Sequence, residues 1–200
     1  MAASFLHKFD IPVHDLKFTI MDLKIFFNKI LYGGGKIFDL LKWVFLLIIV
    51  LVLIFNFVIS IFIVDGLSMD PTLHDGEWAL LQKNAYTSKN PNRGDVVVVR
   101  YPGDPNNKKY VKRVVGLPGE TVTIADGRVS IDGRLLPEDY LSFDVASYPG
   151  GEWQLENDKY FLMGDNRPNS NDSRYFGPVE KRFLDGKALR IIYPRFRMIE

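Results

Sequence analysis

The chain has 200 residues, with 25 Lys and Arg against 24 Asp and Glu and a formal net charge of +1, so it lacks the whole-molecule basic field that holds nucleic acid. That length suits one ordinary domain with an appendage and excludes a multidomain machine. With 0 cysteines, disulfides, thiolate nucleophiles and cysteine-ligated zinc or iron–sulfur centres are excluded as well.

In chain order, Asp15 to Tyr32 carries apolar residues at near-helical spacing with Lys17, Lys24 and Lys29 between them. Either a membrane-surface helix or a plain tail fits this pattern, and Gly33, Gly34 and Gly35 would end it as a hinge. From Trp43 to Val64 no charge, Gly or Pro occurs, and as a helix this run would extend about 33 Å, enough to cross a bilayer. Asn56 and Ser60 lie four apart within it, as either a polar seam against a partner helix or two tolerated polar residues. Lys24, Lys29, Lys36 and Lys42 precede the run, whereas Asp65 to Asn84 hold only Lys83, which predicts a cytosolic N-terminus. The expected organisation is a cytosolic segment at 1–42, a single transmembrane helix at 43–64 and an extracytoplasmic domain at 65–200.

That last part reads as β-rich. Asp95 to Tyr101 and Tyr110 to Val115 are β-branched runs between Pro, Gly and Asn-rich breaks, and each predicts a strand. Thr121 to Leu136 alternates around Asp126-Gly127 and Asp132-Gly133, the turn dipeptides of a short meander. Tyr160 to Met163 and Lys187 to Tyr193 add two strands, and no comparable amphipathic helix follows Val64. The fold class is therefore mainly β: a single N-terminal transmembrane helix, then a compact antiparallel, barrel-like sheet domain.

Elimination by residue type narrows the chemistry. Of His7, His14 and His74, the predicted topology leaves only His74 beside the domain, and one histidine without an HExxH motif cannot supply the usual zinc shell. His74 also follows Ser68 by six residues in a Pro-containing loop, a poor place for a triad base. A hydrolase here would use an oxygen nucleophile and a base other than histidine. Lysine serves when burial disfavours its ammonium. In Tyr110 to Val115, period-2 alternation puts Tyr110, Lys112 and Val114 on one face and Val111, Arg113 and Val115 on the other, so Lys112 has apolar neighbours, although a strand lysine facing water has the same spacing. Ser68 stands four residues beyond the apolar run, with Gly66 permitting close backbone approach and Met69 and Leu73 providing apolar surface. A third cluster, Met163 to Gly177, is dense in hydrogen-bonding side chains, as site-organising loops often are, although an ordinary polar turn rich in Asn and Asp has the same composition; the spacing of an EF-hand cation loop is absent.

Together these segments resemble the type I signal peptidases, membrane-bound serine endopeptidases with a Ser-Lys dyad. SMDPTL at Ser68 to Leu73 is similar to the family's nucleophile box, and RGDVVVV at Arg93 to Val99 to the strand that follows it. YVKRVVGLPGE at Tyr110 to Glu120 is similar to its lysine box, and MGDNRPNSNDSRYFGPV at Met163 to Val179 to its last box. The resemblance implies Ser68 as nucleophile, Lys112 as general base, Ser170 as the serine that orients the lysine, and Asp172–Arg174 and Asp165–Arg113 as supporting ion pairs. Gly66 stands where one branch of the family has a serine hydroxyl in the oxyanion hole, as in the short Gram-positive-like branch. That leaves the Ser68 N–H as the nameable donor, with a Gly66 N–H or water as a second.

The resemblance also implies preprotein signal peptides as substrates, cut after small residues in an Ala-X-Ala pattern, and a cell-membrane location near the bilayer and the secretion translocase. No cofactor, metal or nucleic acid is implied. An extended peptide would add as a strand between the segments before Ser68 and before Lys112, over shallow pockets lined by Met69, Leu73, Tyr110 and Val111. The alternatives are a self-cleaving repressor, which the membrane anchor disfavours, and an inactive anchored β-domain that binds exported chains.

Overall fold

The computed structural model describes residues 22–26, 28–29, 35–101, 108–141 and 145–199. Residues 22–26 and 28–29 are helical, whereas the remainder of Asp15 to Tyr32, with Gly33, Gly34, His7 and His14, lies outside the described residues. Packing divides the chain into Met1–Val52 and Leu53–Glu200. Helix α1 is Lys36–Phe57, and none of its side chains is buried against protein. It is the one described helix long and apolar enough to span a membrane. Asp39 in its first turn complements the positive end of the helix dipole and pairs with Lys42 at 2.6 Å.

The helix begins earlier and ends earlier than the run Trp43 to Val64 suggests. Its last residues turn instead into strand β1, Ile59–Ile63, so Ser60 shares no helix face with Asn56. β1 pairs antiparallel with β2, Trp78–Gln82, from Ile59 opposite Gln82 to Ile63 opposite Trp78. Apolarity alone does not separate a helix from a strand, and three β-branched isoleucines with a ladder partner favour the strand. Lys83 closes the junction. Its N–H donates to the Val58 carbonyl at 2.8 Å, and its ammonium to the Phe55 and Asn56 carbonyls at 3.3 and 3.0 Å, taking up acceptors that the helix end leaves unpaired.

The remaining strands are β3 Val96–Arg100, β4 Lys109–Gly116, β5 Thr121–Ala125, β6 Arg128–Ile131, β7 Arg134–Leu135, β8 Gly151–Gln154, β9 Lys159–Met163, β10 Val179–Glu180, β11 Leu184–Tyr193 and β12 Arg197–Met198. Eight form one sheet in the order β1-β2-β11-β3-β4-β9-β10 with β12 on β11, and four form a second in the order β7-β6-β5-β8. Every strand pairing among the described residues is antiparallel, in line with the sheet domain expected from the sequence. The predicted meander is β5 to β7, with Asp126, Gly127, Asp132 and Gly133 all at positive φ in its turns.

The run of valines in β3 is continuous because both faces of the large sheet are covered. Val97 and Val99 join Tyr160 and Leu162 in one core cluster, while Val96 faces Val64, Met69, Leu73 and Ile191 in another. A third cluster joins the two sheets through Val115, Phe161 and Met163 against Val122, Ile124 and Leu155. Gly116 sits at that junction, where an added Cβ would lie 2.5 Å from Val122 and 2.7 Å from Leu155. β1 and residues Lys109–Lys112 of β4 each pair on one side only among the described residues.

Candidate active site

Ser68 is carried on the turn that leaves β1. Met69 and Leu73, 1% and 0% exposed, anchor this turn in the core, and the Leu73 N–H donates to the Met69 carbonyl at 2.9 Å. Gly66 holds a φ of +97°, where other residues are strained, and its N–H donates to Asp75 Oδ1 at 2.7 Å. That N–H, one of the two expected second oxyanion donors, is therefore already engaged. Leu73, expected to line a substrate pocket, lies wholly in the core, because the turn needs an apolar anchor at each end.

Opposite the turn, β4 delivers Lys112, whose Nζ donates to Ser68 Oγ at 2.7 Å across 44 residues of sequence. The lysine is 0% exposed, and its ammonium lies 5.6 Å from the Tyr110 ring centre. Burial lowers its pKa to about 8, against the opposing pull of the Asp172 and Asp165 carboxylates. The lysine therefore points inward, the less common choice for a strand lysine.

The loop after β9 supplies the frame. Asp165 accepts from Arg113 Nε and NH2 at 2.9 and 2.7 Å and from the Thr72 hydroxyl, while Arg113 also donates to the Gly94 carbonyl at 2.9 Å. Asp172 accepts from Arg174 Nε and NH2, each at 2.8 Å, and from the Gly164 N–H at 2.9 Å. Both pairs implied by the resemblance are thus formed. Asp172 also caps α2, Ser173–Phe176, by accepting the Arg174 N–H. Gly164 has no room for a side chain, because the Ser68 carbonyl and Ser170 Oγ both occupy the place of its Cβ.

Ser170 differs from expectation. It is buried, but its Oγ lacks a hydrogen-bond partner among the described residues and makes no bond to Lys112, which donates to Ser68 instead. Asn166 does what sequence reasoning did not anticipate: its N–H donates to the Ser68 carbonyl at 3.1 Å and its side-chain amide to the Leu67 carbonyl at 3.0 Å. The signal was only its place in a polar loop. His74 is 57% exposed on its side chain and pairs with Asp70 at 2.6 Å, away from Lys112.

Ser68 and Lys112 lie in a cleft of about 480 Å³, walled by β1 and the chain to Met69 on one side and by Lys108 to Lys112 on the other. Met69, Tyr110 and Val111 line it, together with Ile61, Leu81, Val98, Asn169 and Asn171. A cavity of about 530 Å³ between Asp126 and Ala146 contains neither residue of the pair. Among the described residues no three His, Asp or Glu side chains gather as a metal site.

The arrangement is one in which a hydroxyl can lose its proton to an adjacent amine. Residues 37–193 match the family described as signal peptidase, peptidase S26. The chain belongs to that family. It is 36% identical to signal peptidase I of Bacillus licheniformis over 80% of this chain and 90% of that one. Signal peptidase I P of Bacillus subtilis subsp. natto is 37% identical over 84% and 94% of the two chains. A crystal structure of a signal peptidase I from Enterococcus faecalis V583 shares 34% identity, covering 50% of this chain and 97% of that one with a TM-score of 0.42. The chain is accordingly a serine peptidase that cleaves signal peptides.

Proposed function

We propose that Ser68 is the nucleophile and Lys112 the general base of a membrane-anchored signal peptidase that cuts exported preproteins after an Ala-X-Ala sequence. The observation that carries this reading is the 2.7 Å contact from a wholly buried ammonium to a serine hydroxyl, both lining one cleft. Neutral Lys112 takes the Ser68 proton as Oγ attacks the scissile carbonyl, then returns that proton to the departing amine. In the second half, Lys112 takes a proton from water, the resulting hydroxide attacks the acyl carbon, and the proton passes to Ser68 Oγ as the ester breaks. The Ser68 N–H faces the developing oxyanion, with a water as second donor, since the Gly66 N–H is held by Asp75.

The substrate enters as an extended strand between two edges that lack a second partner among the described residues, those of β1 and of Lys109–Lys112, and takes main-chain hydrogen bonds from both. Met69, Tyr110 and Val111 leave room for small side chains at the first and third positions before the cut. α1 crosses the bilayer with residues 1–42 in the cytosol, and the β-domain works on the far side, beside the lipid and the secretion translocase. Anchoring enzyme and substrate in one membrane raises their effective concentration. The alternative, an inactive binding domain, has no support in a site whose nucleophile and base are in contact.

The test is cleavage of a detergent-solubilised preprotein with an Ala-X-Ala site, followed by product mass. The wild type is expected to cut after the final Ala, and Ser68→Ala to leave the substrate intact. Cleavage by folded Ser68→Ala would assign the nucleophile elsewhere.

A further inference from the structure

The last described residues of the chain reach back to the turn that carries Ser68. Arg197 on β12 donates to the Thr72 carbonyl at 2.8 Å, and its second terminal nitrogen donates to both oxygens of the buried Glu77 carboxylate at 3.1 and 2.9 Å. Glu77 in turn accepts the His74 N–H at 3.0 Å. One guanidinium thus fixes both ends of the segment from Thr72 to Glu77. The Thr72 hydroxyl donates to Asp165 and accepts from Arg113 at 3.1 Å, so Thr72 is gripped from two sides, four residues beyond Ser68. Ile199 packs on the cluster that buries Met69 and Leu73. β12 pairs with β11 through Arg190 opposite Met198 and Ile191 opposite Arg197, with one further bond from the Ile199 N–H to the Leu189 carbonyl at 3.2 Å, a short ladder for holding the segment by itself.

We infer that Arg197 is a positioning residue for the nucleophile: through it the C-terminal strand fixes the turn from Met69 to Glu77 and so the approach of Ser68 Oγ to Lys112 Nζ. This rests on the reading of Ser68 and Lys112 as the catalytic pair. A planar fork reaches a carbonyl and a carboxylate together, which a lysine's point charge on a flexible stem does less well. Displacement of a reacting atom by about 1 Å can cost on the order of 10²-fold in rate, so a loosened turn should register in turnover before it registers in binding.

The experiment measures kcat and KM per folded molecule on the same preprotein, together with the thermal midpoint. It uses full-length wild type, Ser68→Ala, Arg197→Met and Arg197→Lys in detergent. Arg197→Met is expected to lower kcat by about 10- to 100-fold with KM within about twofold. Arg197→Lys is expected to fall between it and the wild type with an unchanged midpoint. A wild-type kcat in Arg197→Met, or a change confined to KM, overturns the inference. If Arg197→Met yields no folded protein, Arg197→Lys decides: a lowered kcat at unchanged KM and midpoint upholds it, and a wild-type kcat overturns it. No cleavage by the wild type, or cleavage by Ser68→Ala, would instead overturn the catalytic reading on which it rests.

Discussion

Lys112 and Arg113 are neighbours on β4 and almost wholly inaccessible, at 0% and 1% exposure, yet the two sides of the strand treat a positive charge in opposite ways. On one side Lys112 meets a hydroxyl and an aromatic ring, and no carboxylate lies within ion-pair distance among the described residues. Its charged form is poorly compensated, so its pKa falls to about 8. On the other side Arg113 meets both oxygens of Asp165, the Thr72 hydroxyl and the face of Tyr140 at 4.1 Å. A guanidinium stays charged under any such conditions, which suits it to bracing. Burial lowers the pKa of a cation where compensation is withheld and makes a strut where it is supplied.

The sharpest way to break this contrast is Lys112→Met. Cleavage should fall by about 10⁴-fold or more, and Lys112→Arg should be as inactive, because it restores a charge that cannot leave. The pKa of Lys112 lies below its ordinary value of 10.5, so the folded state binds fewer protons than the unfolded state between about pH 8 and 10.5. Stability from this group therefore rises with pH across that window, and its burial opposes folding in full below about pH 8. Urea titration at pH 7 should accordingly find Lys112→Met no less stable than the wild type.

Asp165→Ala makes the opposite test, since it removes the paired carboxylate from a buried guanidinium. A loss of about 3–5 kcal/mol in urea unfolding is expected. The same substitution at Glu180, a partly exposed side chain paired with exposed Arg182, should change stability by at most about 1 kcal/mol. Equal losses at the two sites would dissolve the distinction between brace and surface pair.

A pH profile of kcat/KM at fixed ionic strength sharpens the picture further. Lys112 must be neutral to act, so the rate should rise about tenfold per pH unit on the acidic side and level off above about pH 8. A limb centred near 6.5 would instead point to histidine. The smallest effect belongs to His74→Ala, expected to stay within about twofold of wild-type activity because the ring is exposed and bonded to Asp70.

Much of the candidate site was legible in the sequence because β4 keeps an unbroken register with β3 from Lys109 to Arg113. Period-2 alternation separates Lys112 from Arg113 correctly, and the Asp-Gly dipeptides mark the meander. The end of the helix was not legible, since Ile59–Ile63 continues the same apolar composition and only the partner β2, itself unmarked by any strong alternation, turns it into a strand. Leu73 was misplaced for a related reason: an apolar residue near a nucleophile suits a pocket or an anchor equally, and the turn's internal hydrogen bond decides for the anchor. Asn166 could not be singled out from its polar neighbours because its role lies in reaching two carbonyls 98 and 99 residues away.

Only Val58 separates the end of α1 from the start of β1, and Lys83 pins that junction from the neighbouring strand. The eleven residue steps from Phe57 to Ser68 extend at most about 40 Å, so in the proposed topology the anchor is a leash: it holds the nucleophile within that reach of the membrane, and a preprotein site carried farther out would not meet it.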